Sequence, residues 1–487
     1  MAYQTTSDKR TTGDKSAMND IQVLPLAQWL DNSRADQTLV ACGDERHYYL
    51  GEMRQQVIAL CQRLQATTQQ RWALCFDDSY WFTVALLAVL HSAKTAVIPG
   101  HSRESLLQEQ RSRFDALLSD KFVTLDFPCL IVGPGQQPMA ATETPLLPVL
   151  SADATVVLFT SGSRGQPREV VKPVASLDHE IAWLAALWGK RLAGCHLLSS
   201  VSHQHLYGLT FRIMLPMALG LSFSSALTQF PEQLAAHIAA HSREKRYVFI
   251  SSPAFLRRLD IALPAFHCEL VLSAGGLLPW NAACQAEQYY GVRLNEVYGS
   301  SETGVLAWRN CSRNNEPWQP FPGVRFSKDH KDLSDEKEKI WRVHSPLIPE
   351  PEGLLLDDRL DFSPGEGRFH LCGRQDQIIK IEEQRISLSE VEHRLMQLSG
   401  VAEAAALTLS RSGRLYIGAV IVLDAATTVP QGHRGEAMLT RAWRQTLRQW
   451  LEPVALPRYW RIVTQMPLNS QGKRTCAQLQ ELFYAAD

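Results

Sequence analysis

Residues 154–168 read ATVVLFTSGSRGQPR, an apolar run that turns without a break into hydroxyls, glycines and arginines. The part from Thr155 to Phe159 is short, apolar and rich in β-branched residues, the pattern of a strand buried on both faces. The six residues Thr160, Ser161, Gly162, Ser163, Arg164 and Gly165 then supply three hydroxyls and two glycines. Backbone N–H groups and hydroxyls in such a loop converge on an anion, and Arg164 and Arg168 add positive charge, so the loop suits a polyphosphate. Its composition fits a plain surface turn as well. Neither the Walker pattern G-x-x-x-x-G-K-[ST] nor a G-x-S-x-G nucleophile elbow occurs in the chain.

Upstream, apolar residues recur at helical spacing between Tyr49 and Leu64 (Met53, Val57, Leu60, Leu64), and WALCF at 72–76 reads as a buried strand. Phe82 to Pro99 reads as a buried helix followed by a strand; His91, Ser92 and Lys94 interrupt it, short of the roughly 18 to 20 apolar residues of a membrane span. Helix and strand alternate as in a doubly wound α/β sheet. The Pro/Gly/Gln stretch from Gly133 to Met139 marks an expected boundary, with a second unit opening at the strand 154–159. The mixed-sign stretch from Ser327 to Lys339 reads as a solvated loop.

Beyond Asp376 the elements become smaller: a helix near Leu388 to Leu398, a hairpin turning at Ser412 and Gly413, the strand LYIGAVIVL, and a helix with Leu439, Trp443, Leu447 and Leu451 on one face. The chain therefore divides into a flexible polar tail (1–20), a large N-terminal domain of doubly wound sheets (21–375) and a small α+β C-terminal domain (376–487) joined to it by a hinge.

Composition narrows the function classes. Apolar residues make up 45% and charged residues 20%, a globular profile. With 49 basic against 50 acidic side chains, no bulk field favours nucleic acid or an anionic membrane. Ten cysteines without a C-x-x-C pair or zinc spacing read as buried thiols of a reducing cytosol, and the polar N-terminus lacks the apolar core of a secretory signal. A cytoplasmic protein is expected.

A second motif, YGSSETG at 298–304, follows another apolar-tinged strand. An aromatic face can stack on a purine and a carboxylate can hold a Mg²⁺ that bridges phosphates, although a polar turn after a strand has the same composition.

Together these stretches resemble the adenylate-forming superfamily of acyl-CoA synthetases, aryl acid ligases and peptide-synthetase adenylation domains. The family's phosphate loop reads approximately [YF]-T-S-G-[ST]-T-G-x-P-K-G. Phe159 to Glu169 fits it, with Arg164 for Thr, Arg168 for Lys and Glu169 for Gly. Further segments follow in the family's order. SHQHLYG at 202–208 resembles the segment beside the acyl pocket and puts His205 at its histidine; a packed core histidine is the other reading. SAGGLL at 273–278 resembles the glycine turn along the adenine, carrying Gly275 and Gly276. Tyr298, Gly299, Ser301 and Glu302 match Y-G-x-T-E with Ser301 for Thr, and Glu302 falls at the magnesium carboxylate.

Asp358, a better match than Asp357, falls at the ribose aspartate. GRQD at 373–376, with Lys380 and Arg385 beyond it, resembles the junction of the two domains, making Arg374 a nucleotide contact, or else an ion-pair partner, and Asp376 the hinge. PLNSQGK at 467–473 resembles the closing P-x-x-x-x-G-K and makes Lys473 the mobile catalytic lysine.

The resemblance implies an enzyme that joins a carboxylic acid to AMP at the expense of ATP, with Mg²⁺, releases pyrophosphate, and passes the acyl group to a phosphopantetheine thiol. One departure bears on the thiol: Glu383 stands where the family has a glycine lining the thiol passage. A carboxylate there repels the phosphates of CoA, so an acyl carrier protein is the expected partner, with free CoA as the alternative. Aromatic residues near His205 and around Trp280 and Trp308 point to an aryl or other planar acid, with ordinary packing as the other reading. From a different class, a degenerate nucleotide-binding protein of the same fold fits the departures at Arg168, Glu169 and Glu383.

Overall fold

A computed structural model of the chain describes residues 22–484 apart from 44–45, 135–146, 162–166, 241–244, 329–339, 364, 366, 375–377, 382–383, 412–413, 425–426, 428–432, 452 and 469–473. The apolar runs form strands β1 (Leu39–Cys42), β2 (His47–Tyr49), β3 (Arg71–Cys75), β4 (Thr95–Ile98), β5 (Ala116–Ser119), β6 (Cys129–Ile131), β7 (Thr155–Ser161) and β8 (Pro167–Pro173). After them come β9 (His196–Ser199), β10 (Ser222–Ser224), β11 (Tyr247–Ser251), β12 (Cys268–Ser273), β13 (Leu294–Ser300), β14 (Gly304–Asn310) and β15 (Gln319–Pro320). They make two sheets: six strands in the order β6-β5-β3-β4-β7-β8, and nine in the order β15-β14-β13-β12-β11-β9-β10-β1-β2.

The inner strands of both sheets run parallel and are buried almost throughout, which is why they read as continuous apolar runs instead of alternating ones. One expectation fails here. Strand β7 does not open a second unit; it pairs in parallel with β4, Val97 opposite Val157, and completes the sheet that β3 began. Ala96, Val97 and Ile98 are fully buried, so the edge they present needs a strand beside it.

Helices cover the sheets. Leu50–Gln65 buries Met53, Val57, Leu60, Cys61 and Leu64 along one stripe, whereas Ser79–His91 is buried on every side. Asp78 starts that second helix by accepting hydrogen bonds from the backbone N–H groups of Tyr80 (2.8 Å) and Trp81 (3.0 Å). A single apolar cluster from Leu24 to Phe369 joins the two sheets.

Three shorter sets follow: β16 (Arg325–Lys328), β17 (Trp341–His344) and β18 (Leu354–Leu355) in one sheet, the pair β19 (Asp358–Phe362) and β20 (Phe369–Arg374), and the pair β21 (Ile378–Ile381) and β22 (Gln384–Ser387). The last sheet is β23 (Val401–Arg411), β24 (Arg414–Leu423) and β25 (Tyr459–Val463), packed by the helices Leu388–Met396, His433–Leu447 and Cys476–Tyr484. Its two apolar clusters begin at Ile381 and Ala405 and share no residue with the first, which gives the small α+β lobe its own core. An ion pair, Arg257 to Glu403 at 3.7 Å, touches the two lobes together.

Smaller differences have simple causes. Leu451 is buried but lies past the end of its helix at Leu447. All ten cysteines are free, yet Cys372 and Cys476 are exposed instead of buried. The turn expected at Ser412 and Gly413 lies outside the described residues. Among the described residues no helix is long and apolar enough to cross a membrane.

Candidate active site

In parallel sheets ligands collect beyond the carboxyl ends of the strands, where loops rather than side-chain layers fill the space. The motif residues fall there. Thr160 ends β7 together with Ser161, which pairs with Pro167 across the hairpin; Gly162, Ser163, Arg164 and Gly165 lie outside the described residues. Arg168 is exposed on β8 opposite Thr160. Gly275 and Gly276 are exposed beyond β12, and Tyr298, Gly299 and Ser300 close β13.

Two hydrogen bonds draw these segments together. The Thr160 hydroxyl donates to Glu302 Oε1 at 3.4 Å, linking the end of β7 in one sheet to the turn after β13 in the other. The Tyr298 hydroxyl donates to Asp358 Oδ2 at 2.7 Å, a short bond of the charge-assisted kind, and its ring lies beside Trp318 and Phe369. Asp358 starts β19 in register with Arg374 at the end of β20, so the aspartate expected at the ribose and the arginine expected as a nucleotide contact are neighbours.

The turn Ser301-Glu302-Thr303 is shaped by its flanking glycines. A Cβ on Gly299 would lie 2.1 Å from the Gly304 carbonyl oxygen, and Gly304 has φ +70°, so both positions exclude other residues. Thr303 and Ser300 bond each other's backbone N–H through their hydroxyls, at 3.0 and 3.2 Å.

Of the two histidines in SHQHLYG, His203 is the buried one. Its Nε2 lies 3.0 Å from the Phe76 carbonyl and its Nδ1 3.1 Å from the Ser79 hydroxyl, so Nε2 donates and Nδ1 accepts. Burial, with Arg212 nearby, holds its pKa well below the usual histidine value. His205 is half-buried at the start of the helical run Leu206–Leu219, close enough to Gly100 that a Cβ there would lie 3.1 Å from its Cε1. His203 is thus the fully buried histidine of the pair, and His205 is only half-buried.

Glu169, the departure in the phosphate-loop pattern, is turned toward Arg71 (3.1 Å) and Arg113 (3.4 Å). Trp308 packs edge-on against Trp188, and Trp280 is exposed at the start of its helix. Lys473, Asp376 and Glu383 lie outside the described residues. Arg474, next to Lys473, donates to the Ala404 carbonyl (2.5 Å) and reaches Glu392 (3.5 Å), which ties that end of the chain to the small lobe.

Sequence reasoning missed two charged residues beneath the turn, Lys172 and Glu180. Burial pushes the Lys172 ammonium down and the Glu180 carboxyl up from their ordinary values. Their signal was visible as charges breaking apolar patterns.

The donor set fits a small hard cation shared with phosphate oxygens. Among the described residues Glu302 has no cationic partner within ion-pair distance, and its carboxylate accepts only the long bond from Thr160. Among the described residues no group of three His, Cys, Asp or Glu side chains is placed to hold a metal ion.

Comparison with known proteins agrees with this arrangement. The AMP-binding enzyme family profile matches residues 26–338. The 4-coumarate–CoA ligase of Rhodobacter capsulatus is 30% identical over 336 residues, 67% of this chain and 77% of the relative. That of Halorhodospira halophila is 29% identical over 343 residues, 66% and 77% of the two chains. In fold the chain is similar to ATP-bound MatB from Rhodopseudomonas palustris, with a TM-score of 0.77 at 16% identity over 95% of this chain and 99% of the other. With the two motif turns joined across the sheets and the profile covering most of the large lobe, the chain belongs to the AMP-binding enzymes, the adenylate-forming superfamily.

Proposed function

We propose that the chain activates a carboxylic acid, aryl or acyl, as its acyl-adenylate in the cytoplasm and transfers the acyl group to a phosphopantetheine thiol, preferably that of an acyl carrier protein. The observation that supports the reading is the Thr160–Glu302 contact at 3.4 Å, because the residue read as a phosphate-loop hydroxyl meets the one read as the magnesium carboxylate.

In the first step a carboxylate oxygen attacks the α-phosphorus of ATP, and the bond to the departing pyrophosphate breaks. The hydroxyls and backbone of Thr160 to Gly165, with Arg164 and Arg168, hold the β- and γ-phosphates. Gly275 and Gly276 leave backbone open to the adenine, Tyr298 and Gly299 flank it, and Asp358 and Arg374 take the ribose side. Mg²⁺, when bound at Glu302, supplies charge neutralisation on the phosphate oxygens. Lys473 orients the acid and balances the growing charge, and His205 borders the acid. In the second step the small lobe turns about Asp376, withdraws Lys473, and the thiol adds to the carbonyl carbon as AMP leaves.

The named activity of the Rhodobacter capsulatus relative favours free CoA as the second reading of the acceptor. Glu383 is the residue that favours the carrier protein. Of the three departures behind the degenerate reading, Glu169 has a structural use in its ion pairs with Arg71 and Arg113.

The test is acid-dependent exchange of labelled pyrophosphate into ATP over benzoates, cinnamates and fatty acids, then acyl transfer from the best acid to a carrier protein and to CoA. Exchange with an aryl acid, and transfer to the carrier at least about ten times faster than to CoA, is expected. Comparable transfer rates overturn the acceptor preference; silence over the whole panel overturns the activity.

A further inference from the structure

Lys172 and Glu180 occupy places where the surrounding pattern is apolar. Lys172 follows Val170 and Val171 in β8 and is 3% exposed; Glu180 sits among Leu177, Ile181 and Leu184 in the helix Val174–Leu192 and is 2% exposed. Buried charges persist only where directed partners take them up. Three such partners take up these two charges, and two of them lie on a single turn.

The Lys172 ammonium donates to the Glu302 carbonyl oxygen at 2.7 Å. Glu180 Oε1 accepts from the Val305 backbone N–H at 2.7 Å, and Oε2 accepts from the Thr210 hydroxyl at 3.0 Å. The turn from Glu302 to Val305 is therefore gripped from below at both ends, and the grip extends to the helical run that begins after His205. Gly304, between the two grips, lies so close that a Cβ would sit 3.1 Å from Glu180 Oε1. Apolar side chains of similar size would fill the same space but leave the Glu302 C=O and Val305 N–H without these bonds.

We propose that Lys172 and Glu180 are positioning residues, a buried clamp that fixes the turn bearing the Glu302 carboxylate and so sets where a divalent cation and its nucleotide are held. The clamp rests on the adenylation reading above. It also explains why charge is kept at 172 and 180: directional bonds fix a backbone in a way that packing alone does not.

The test is the affinity of Mn²⁺ for the chain in the presence of ATP, read by electron paramagnetic resonance, for the wild type, Lys172→Met, Glu180→Gln and the double variant, each with its melting temperature and its acid KM in exchange. The double variant removes both charges at once and leaves no lone buried charge, so it stays measurable if a single variant does not fold. Lys172→Met, or the double variant in its place, is expected to weaken Mn²⁺ about ten- to a hundredfold while the acid KM stays within twofold. Unchanged Mn²⁺ affinity in the folded variant overturns the clamp alone. A wild type that binds no Mn²⁺ with ATP overturns the adenylation reading, and the clamp with it.

Discussion

Replacing Gly304 by alanine tests the geometry of the Glu302 turn without removing a polar group. Two contributions add. A non-glycine residue at φ +70° costs about 1–2 kcal/mol in backbone strain. The new Cβ would also lie 2.9 Å from Leu347 Cδ1 and 3.1 Å from Glu180 Oε1, and neither neighbour yields readily: Leu347 is 2% exposed, and Glu180 is held by Val305 and Thr210. Overpacking of that kind costs about 1–3 kcal/mol. The sum, about 2–5 kcal/mol, lowers the large lobe's thermal transition by at least about 3 °C. Part of the strain is relieved by moving the turn, so pyrophosphate exchange falls more than the loss of folded protein accounts for. Differential scanning fluorimetry with parallel exchange rates measures both. A Gly304→Ala chain that melts within 1 °C of the parent, a shift below about 0.7 kcal/mol, refutes the strain argument.

His203 gives a pH dependence of defined sign. Because its folded pKa lies well below that of the unfolded chain, the unfolded state binds the proton first, and stability is full above about pH 6.5 and lost as pH falls below it, by up to about 1.4 kcal/mol per pH unit. His203→Gln is expected to flatten that slope between pH 5 and 6.5 in urea titrations; an equal slope in both chains contradicts the assignment. Glu169→Gln removes partly exposed ion pairs worth at most about 1 kcal/mol, so its melting temperature and exchange rate stay close to the parent's. A loss of exchange above about tenfold would show that the carboxylate acts on the nucleotide instead.

Local features were legible and long-range ones were not. The spacing of Met53, Val57, Leu60 and Leu64, and the unbroken run at 72–76, set helix and strand correctly because periodicity is a property of neighbours. The partner of the 154–159 strand was misjudged because its pairing with β4 joins residues some sixty apart, and a Pro/Gly-rich stretch between them says nothing about which sheet the chain rejoins. The motif turns were readable since glycines and hydroxyls mark them locally. What Glu169 contacts was not, because Arg71 and Arg113 are distant in sequence. The same holds for His203 against His205: two residues apart, they differ in burial, which Phe76 after β3 and Ser79 at the start of the next helix decide by holding the first. Lys172 and Glu180 were visible as charges out of pattern, but their common target became evident only once β8, the helix after it and the Glu302 turn were stacked.

The most direct measurement is acid-dependent pyrophosphate exchange in the parent chain and in Lys473→Ala, at equal folded concentration. The account predicts exchange in the parent with at least one acid and a loss of at least about a hundredfold in the variant, since in the proposed mechanism the lysine at 473 is the cation that meets the acid and the α-phosphate. Exchange at the parent's rate in Lys473→Ala would contradict it.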